Sequence, residues 1–162
     1  MSEEAKCYLV IRIKGSVKAR KDHLDTLKML NLSRANWATI VPKTPSYEGM
    51  LRKVEHMITW GEPNLKTIKT FLRRVEIMGD GTLDDEYARK LGFESLEDLA
   101  RKLYNAEVTL SSLKEKGVKP YARLHPPKGG FKKTIKKHFS MGGDYGYRGE
   151  KINELFVRMA GV

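Results

Sequence analysis

The sequence is poor in the features that would indicate a secreted or membrane protein. It has one cysteine among 162 residues, so no intramolecular disulfide can form, which fits a reducing cytoplasm. No apolar run approaches the roughly 18–20 residues that a membrane-spanning helix needs. The N-terminus is acidic and leads into a strand-like pattern, which is not typical of a signal peptide. Cys7 alternates with apolar residues, and we interpret it as a small core residue rather than a reactive thiol.

Acidic residues are scarcer at the two ends of the chain than in its middle, so the net positive charge lies at the ends. Residues 1–60 carry 11 Lys and Arg against 6 Asp and Glu, residues 61–117 carry 10 against 11, and residues 118–162 carry 10 against 3. Since phosphate neutralisation releases condensed counterions, the overall charge of +11 favours a polyanionic partner. Basic proteins can also meet membranes or be merely soluble and cationic. The distribution indicates two ends that face nucleic acid and a near-neutral middle that faces solvent or protein.

The first part of the chain alternates strand and helix patterns. Apolar residues keep a period of two from Cys7 to Ile13, which predicts a half-buried strand with Arg12 on its open face. A helical pattern follows from Asp22 to Leu32, then a short strand, a helix with Thr44 as its N-cap, and a third strand. This β-α-β-α-β order predicts an α+β fold with a small sheet and both helices on one face.

The middle of the chain is expected to be helical. Asn64 is a candidate N-cap, and the pairs Thr82 with Asp85 and Ser95 with Asp98 resemble capping boxes. A short helix is predicted to end at Gly117. Acidic residues cluster at these helix starts, where the helix dipole favours them, and we prefer that reading to a metal or acid–base site. We therefore divide the chain into a core at 1–62, a helical extension at 63–117, and basic loops with a C-terminal helix at 118–162.

The basic C-terminal part has the composition of an RNA-binding loop. Between Val118 and Gly143 there are seven basic residues and no acidic one. Proline and glycine pairs prevent an ordinary helix after residue 125. Lysines can meet phosphates, glycines allow close backbone approach, and aromatic rings can stack on unpaired bases. The alternative is a solvated loop with its rings in the core. The predicted RNA-binding residues here are Arg123, His125, Lys128, Gly129, Gly130, Phe131, Lys132, Lys133, Lys136, Lys137 and His138.

Two further groups of residues extend this prediction. The loop GGDYGYRGE lacks the glycine spacing of nucleotide-binding loops, and its Tyr145, Tyr147 and Arg148 suit an RNA groove or a bulged base better. Either tyrosine could instead belong to the core. Basic residues around the first two helices could form a second phosphate-facing patch or simply an exposed cationic surface, and the pattern favours neither. These residues are Arg20, Lys21, Arg34, Arg52 and Lys53.

Catalytic patterns are missing from the sequence. The four histidines have neither cysteine partners nor the spacing of zinc ligands, and no serine lies in a nucleophile-elbow motif. No base with an orienting partner can be assembled. We therefore expect neither an enzyme nor a metal site.

Seven motifs occur in an order that resembles a known family. The sequence is similar to large-subunit ribosomal protein L-thirty in its longer archaeal form, whose eukaryotic counterpart is called L-seven. The matching stretches are VIRIKG (Val10–Gly15), LKMLNL (Leu27–Leu32), TPSYEGML (Thr44–Leu51), WGEPNLK (Trp60–Lys66), LGFESLEDL (Leu91–Leu99), RLHPPKGGFK (Arg123–Lys132) and GGDYGYRGEKINEL (Gly142–Leu155).

The resemblance implies a ferredoxin-like β-α-β-α-β core with a three-stranded antiparallel sheet, extended by the helical and basic segments. It also implies a cytoplasmic protein on the large ribosomal subunit, with no cofactor and no catalytic residues. The implied partners are large-subunit rRNA, with 5S rRNA as one candidate, and neighbouring ribosomal proteins, but no membrane or small-molecule substrate. Relatives often carry Arg where this chain has Glu48, so a phosphate contact from that position is not expected.

The sequence therefore favours a structural component of the large ribosomal subunit that binds rRNA through basic, glycine- and aromatic-containing loops. The alternative is a ribosome-independent RNA-binding regulator or an assembly factor. An RNA-modifying enzyme is a third hypothesis, but it would need a cofactor loop or catalytic dyad.

Overall fold

The computed structural model describes residues 5–77, 81–127 and 137–160. Within these residues one sheet runs through the molecule in the order β4-β5-β2-β1-β3-β6, and only β6 pairs parallel to its neighbour. The strands are β1 (Cys7–Arg12), β2 (Trp37–Pro42), β3 (Ile58–Gly61), β4 (Val75–Ile77), β5 (Val118–Arg123) and β6 (Gly146–Tyr147). The helices are α1 (Lys21–Met29), α2 (Pro45–Lys53), α3 (Leu65–Arg74), α4 (Asp85–Lys90), α5 (Leu96–Tyr104) and α6 (Ile152–Ala160).

The α+β class and the antiparallel arrangement of β2, β1 and β3 are confirmed, but the sheet is larger than expected. Strands β5 and β4 extend it beyond β2, and β6 extends it beyond β3. No strand was expected at β5, because Val118–Arg123 falls in the segment that the sequence assigns to basic loops. The carbonyl of Pro120 nevertheless accepts a hydrogen bond from Thr39 Oγ1 at 2.8 Å on the neighbouring strand. The division of the chain into three segments remains a prediction.

Most predicted helix starts are confirmed by their capping contacts. The Thr44 hydroxyl accepts from the backbone N–H of Tyr47, and Asn64 Oδ1 accepts from that of Thr67. Ser95 caps α5 in the same way. The expected cap at Thr82 is wrong, because Thr82 pairs with Glu76 at the end of β4 and Asp84 caps α4 instead.

The sheet has a hydrophobic layer on both faces. Helices α1 and α2 cover Val10, Val41 and Ile58, as expected for two helices on one face. The other face, which includes Leu9 and Ile11, packs against α3, α5 and α6. Strand β1 is therefore buried on both faces, whereas its alternating pattern predicted burial on one face only.

The burial of Arg12 contradicts the expectation that one face of β1 is open to solvent. Its side chain is 1% exposed and donates hydrogen bonds to the carbonyls of Lys14 and Leu32, each at 2.8 Å, and to Ser16 Oγ at 3.0 Å. These contacts compensate for the burial of the charge and hold the loop that precedes α1. The loop lies at the edge of a candidate site described below.

The C-terminal part of the chain is held against β3 by a close backbone approach. The backbone N–H of Arg148 donates to the carbonyl of Trp60 at 2.8 Å. The side chain of Asn153 connects α6 to the start of α3, since it accepts from the N–H of Asn64 and donates to the carbonyl of Glu62. Gly61 lies so near this segment that a Cβ at its position would collide with the backbone of Gly149. The absence of a side chain at Gly61 is therefore required for this packing.

We expect Gly61→Ala to lower the free energy of unfolding by about 1–3 kcal/mol or more, because backbone atoms would have to move apart. Gly49→Ala is the matched control. Gly49 lies in α2 with open space around it, and alanine there should raise stability by about 0.5–1 kcal/mol. Urea denaturation of both variants measures the difference. Equal stability of the two variants would contradict the close approach.

Candidate nucleic-acid interface

Several predicted RNA-binding residues lie outside the described part of the chain. The structure therefore says nothing of their contacts, and their assignment stays a prediction. They are Lys128, Gly129, Gly130, Phe131, Lys132, Lys133 and Lys136.

The structure brings Arg52 and Tyr147 together in one cleft, although they come from distant parts of the sequence. The cleft has a volume of about 380 Å³. Strands β1, β3 and β6 contribute its aromatic rings, and α2 with the 3₁₀ turn Glu55–Met57 contributes its charged residues. We call it the aromatic cleft. Its lining residues are Tyr8, Glu48, Arg52, Glu55, Trp60 and Tyr147.

The rings of the aromatic cleft are held in place by contacts with each other and with carboxylates. The Tyr147 ring lies 6.3 Å from both Tyr8, edge to face, and Trp60. The Tyr147 hydroxyl donates to the Glu62 carboxylate at 2.7 Å, and the Tyr8 hydroxyl donates to Glu48 at 3.0 Å. Burial, together with this bond to Glu48, raises the pKa of Tyr8 to about 12. The Tyr8 phenol therefore stays a neutral donor, and Tyr147 remains 45% exposed.

His138 attaches the basic C-terminal segment to the edge of this cleft. Its Nε2 lies 2.7 Å from Glu55, and its Nδ1 lies 2.8 Å from the Ser140 hydroxyl. The exposed Lys137 precedes it. The Tyr145 ring contacts His138 at 5.4 Å and also packs against the larger core, which agrees with the alternative reading of this tyrosine.

Arg148 is part of the folded interior rather than of an open surface. Its guanidinium donates to Thr59 Oγ1 at 2.7 Å and to the backbone and side chain of Asp144, and only 5% of its side chain is exposed. It also lies over the Phe139 ring at 4.7 Å. Burial lowers the pKa of Arg148, and the bond to Asp144 opposes that shift. The geometry gives its predicted RNA contact no support and assigns it to anchoring the loop on β3.

A second cleft adjoins the same 3₁₀ turn, and the charged and titratable side chains that line it are all basic. It has a volume of about 280 Å³, and Arg20 is its one predicted residue. We call it the histidine cleft. Its polar lining is Lys14, Lys18, Arg20, His23 and His56. Sequence reasoning missed the two histidines, since only the fold places their rings 4.9 Å apart.

The histidine cleft affects the protonation of His56. Burial lowers the pKa of His56, the charges of His23 and Lys14 lower it further, and Glu55 opposes them. Arg20 is also paired with Asp22 at 3.2 Å, and this bridge is largely exposed. A phosphate in the cleft would supply the negative charge that favours protonated histidine.

The remaining predicted residues fall into two groups, those that form an ion pair with a carboxylate and those for which the described residues provide none. Arg123 is exposed but pairs with Glu76, which also binds Lys119. His125 is exposed beyond β5. For Lys21, Arg34, Arg52 and Lys53 no ion pair occurs within the described ranges, and all four are exposed. These four cations are therefore available to phosphates.

Neither a metal site nor a membrane span is found among the residues that the structure describes. No group of three or more His, Cys, Asp or Glu side chains there could hold a metal ion. No described helix has the length and apolar character needed to cross a bilayer. The buried Cys7 thiol has its pKa raised to about 12, mainly by burial, so it is not a reactive thiolate.

Comparison with known proteins identifies the family. The family described as Ribosomal protein L30p/L7e matches residues 8–58, from β1 to the start of β3. The large ribosomal subunit protein uL30 of Nanoarchaeum equitans is 49% identical over 93% of this chain and 97% of its own length. Those of Ignicoccus hospitalis and Methanosphaera stadtmanae are 48% and 45% identical, over 95% and 94% of this chain and 98% and 99% of their own lengths. The chain belongs to the uL30 family.

Membership in the uL30 family confirms the resemblance read from the seven motifs. The family match spans the turn and helices that line both clefts, while the relatives align over nearly the whole chain, including most of the basic C-terminal part. The relatives are named as a ribosomal protein and not as an enzyme, which agrees with the expectation of no catalysis.

We expect the stability of the protein to fall as the pH drops from 7 toward 5, in part through His56. Its pKa is lower in the folded chain than the ordinary value of 6.5, so the unfolded chain binds this proton more tightly. Protonation therefore favours unfolding, and stability is lost as the pH falls through 6.5. His56→Gln should reduce that loss, measured as the thermal midpoint against pH. His125→Gln, at an exposed site, is the control. A wild-type pH profile in His56→Gln would contradict this account.

Proposed function

We propose that the chain is a structural component of the large ribosomal subunit, and that it binds rRNA through its basic and aromatic loops. The observation that carries the rRNA contact is the convergence at the turn Glu55–Met57. Glu55 lines the aromatic cleft, and its neighbour His56 lines the histidine cleft. Cations of α2 and of the loop before α1 thus meet the Tyr147 ring of the C-terminal segment beside this turn.

The charges of the middle segment support this assignment. Glu97 pairs with Lys69 and Arg101, and Asp98 pairs with Lys102, so three cations of this segment are paired with its own carboxylates. Residues 61–117 as a whole carry 11 Asp and Glu against 10 Lys and Arg. Helices α3 and α5 pack on the sheet face opposite α1 and α2. Phosphates would therefore be attracted to the α1 and α2 side, whereas the opposite side suits solvent or a neighbouring protein.

Contacts with phosphates would position the protein on the RNA. The shape of the protein surface and its exposed aromatic rings would then recognise the folded RNA. Tyr147 is the described ring best placed to stack on an unpaired base, because it is 45% exposed. We further propose that residues 118–162 supply most of these contacts. The predicted basic residues that lie outside the described ranges belong to this proposal on sequence grounds alone.

Co-sedimentation with large ribosomal subunits tests the function directly. We expect one copy per mature subunit, a site-specific footprint on rRNA, and retention through a wash of moderate salt. Absence from mature subunits, with binding to precursor particles only, would instead identify an assembly factor. Loss at low salt without a footprint would overturn the proposal.

Replacement of Lys132, Lys133, Lys136 and Lys137 by Gln should flatten the salt dependence of rRNA binding. Each lost phosphate contact lowers the slope of log affinity against log salt by roughly 0.7–0.9. The matched control removes four exposed cations of the middle segment, namely Arg89, Lys90, Lys114 and Lys116. It changes the net charge equally and should leave the slope nearly unchanged. Equal slopes for the two variants would mean that net charge alone drives binding.

A further inference from the structure

The aromatic cleft differs in charge from the surface around it. It lies in a protein of net charge +11, yet two of its six lining residues are the carboxylates Glu48 and Glu55. Carboxylates repel phosphates, so a cleft built only for the RNA backbone would not be expected to contain them. The rings and the volume of about 380 Å³ instead match a pocket for one small planar group.

The charges around the cleft indicate which chemical groups an occupant must carry. Arg52 lines the cleft and is exposed, the exposed Lys53 follows it, and His138 lies at the edge against Glu55. An occupant should therefore present donors to the carboxylates and carry negative charge toward these cations. A basic peptide meets only the first requirement, since Arg52 and Lys53 would repel it. A nucleotide of RNA meets both.

A carboxylate at the position of Glu48 can distinguish the four bases by hydrogen-bond chemistry. An ionised carboxylate only accepts hydrogen bonds, and it offers about four lone-pair sites, of which the Tyr8 hydroxyl occupies one on Oε1. Guanine presents two adjacent donors, N1–H and N2–H, on its Watson–Crick edge. The other three bases place an acceptor beside each donor there, and that acceptor would face the carboxylate.

We propose that the aromatic cleft binds an unpaired guanine of RNA. Glu48 accepts the N1–H and N2–H of the base, the exposed ring of Tyr147 stacks on it, and Arg52 contacts its phosphate. This inference rests on the proposed rRNA binding and adds base identity to it. It also gives Glu48 a role in recognising a base.

Four RNA hairpins that differ only in one bulged nucleotide test the inference with the full-length chain. We expect the hairpin with bulged G to bind about tenfold or more tighter than those with A, C or U, as for a good bidentate contact. Glu48→Gln should remove this preference, because an amide offers one acceptor and one donor. It keeps an acceptor for Tyr8, so the fold should be retained, which circular dichroism checks. Glu154→Gln, an equal charge change at an exposed site on α6, should keep the preference.

Two more variants separate the roles within the cleft. Tyr147→Leu should weaken binding of all four hairpins by a similar factor, since stacking depends little on base identity. Arg52→Gln should reduce the salt dependence and leave the preference for G unchanged. Equal binding of the four hairpins by the wild-type protein, with rRNA binding retained, would overturn the guanine inference alone. Failure to bind large-subunit rRNA at all would overturn the proposed function.

Discussion

Strand β6 lies directly along β3, and the candidate RNA surface depends on that close fit. The backbone of Arg148 donates to Trp60, its buried guanidinium binds Thr59 and Asp144, and Gly61 leaves room for the backbone of Gly149. A buried arginine is tolerated only when its donors are paired, so these hydrogen bonds hold one conformation of the loop. That conformation places Tyr147 beside Tyr8 and Trp60.

Net charge is distributed unevenly along the chain, and folding makes it uneven over the surface of the molecule as well. The two basic ends meet beside the 3₁₀ turn between α2 and β3, where the two clefts share adjacent residues. The near-neutral middle packs on the other face of the sheet, and its carboxylates Glu97 and Asp98 pair with lysines and arginines of the same segment. A polyanion would thus be attracted to one side, while the protein retains a surface suited to other contacts.

Local features of the fold were predictable because their causes are local. Thr44, Asn64 and Ser95 cap the predicted helices, since a side-chain oxygen needs only the N–H three residues ahead. The cap at Thr82 was wrong because pairing with Glu76 draws that residue into the sheet. The burial of Arg12 was missed for a similar reason. Its acceptors include the carbonyl of Leu32, which lies beyond α1 and becomes a neighbour only through packing.

The α+β class, most helix starts, the net positive charge of the two ends and the resemblance to the uL30 family were all readable from the amino-acid sequence. Those properties follow from composition, periodicity and short motifs. Which of the predicted residues share a surface depends instead on the packing of the folded chain. It placed Arg52, Tyr147 and His138 around the aromatic cleft, enclosed Arg148, and joined two histidines that no motif connects. The reason is that a site depends on distances in space, and these distances arise from strand pairing between residues far apart in the chain.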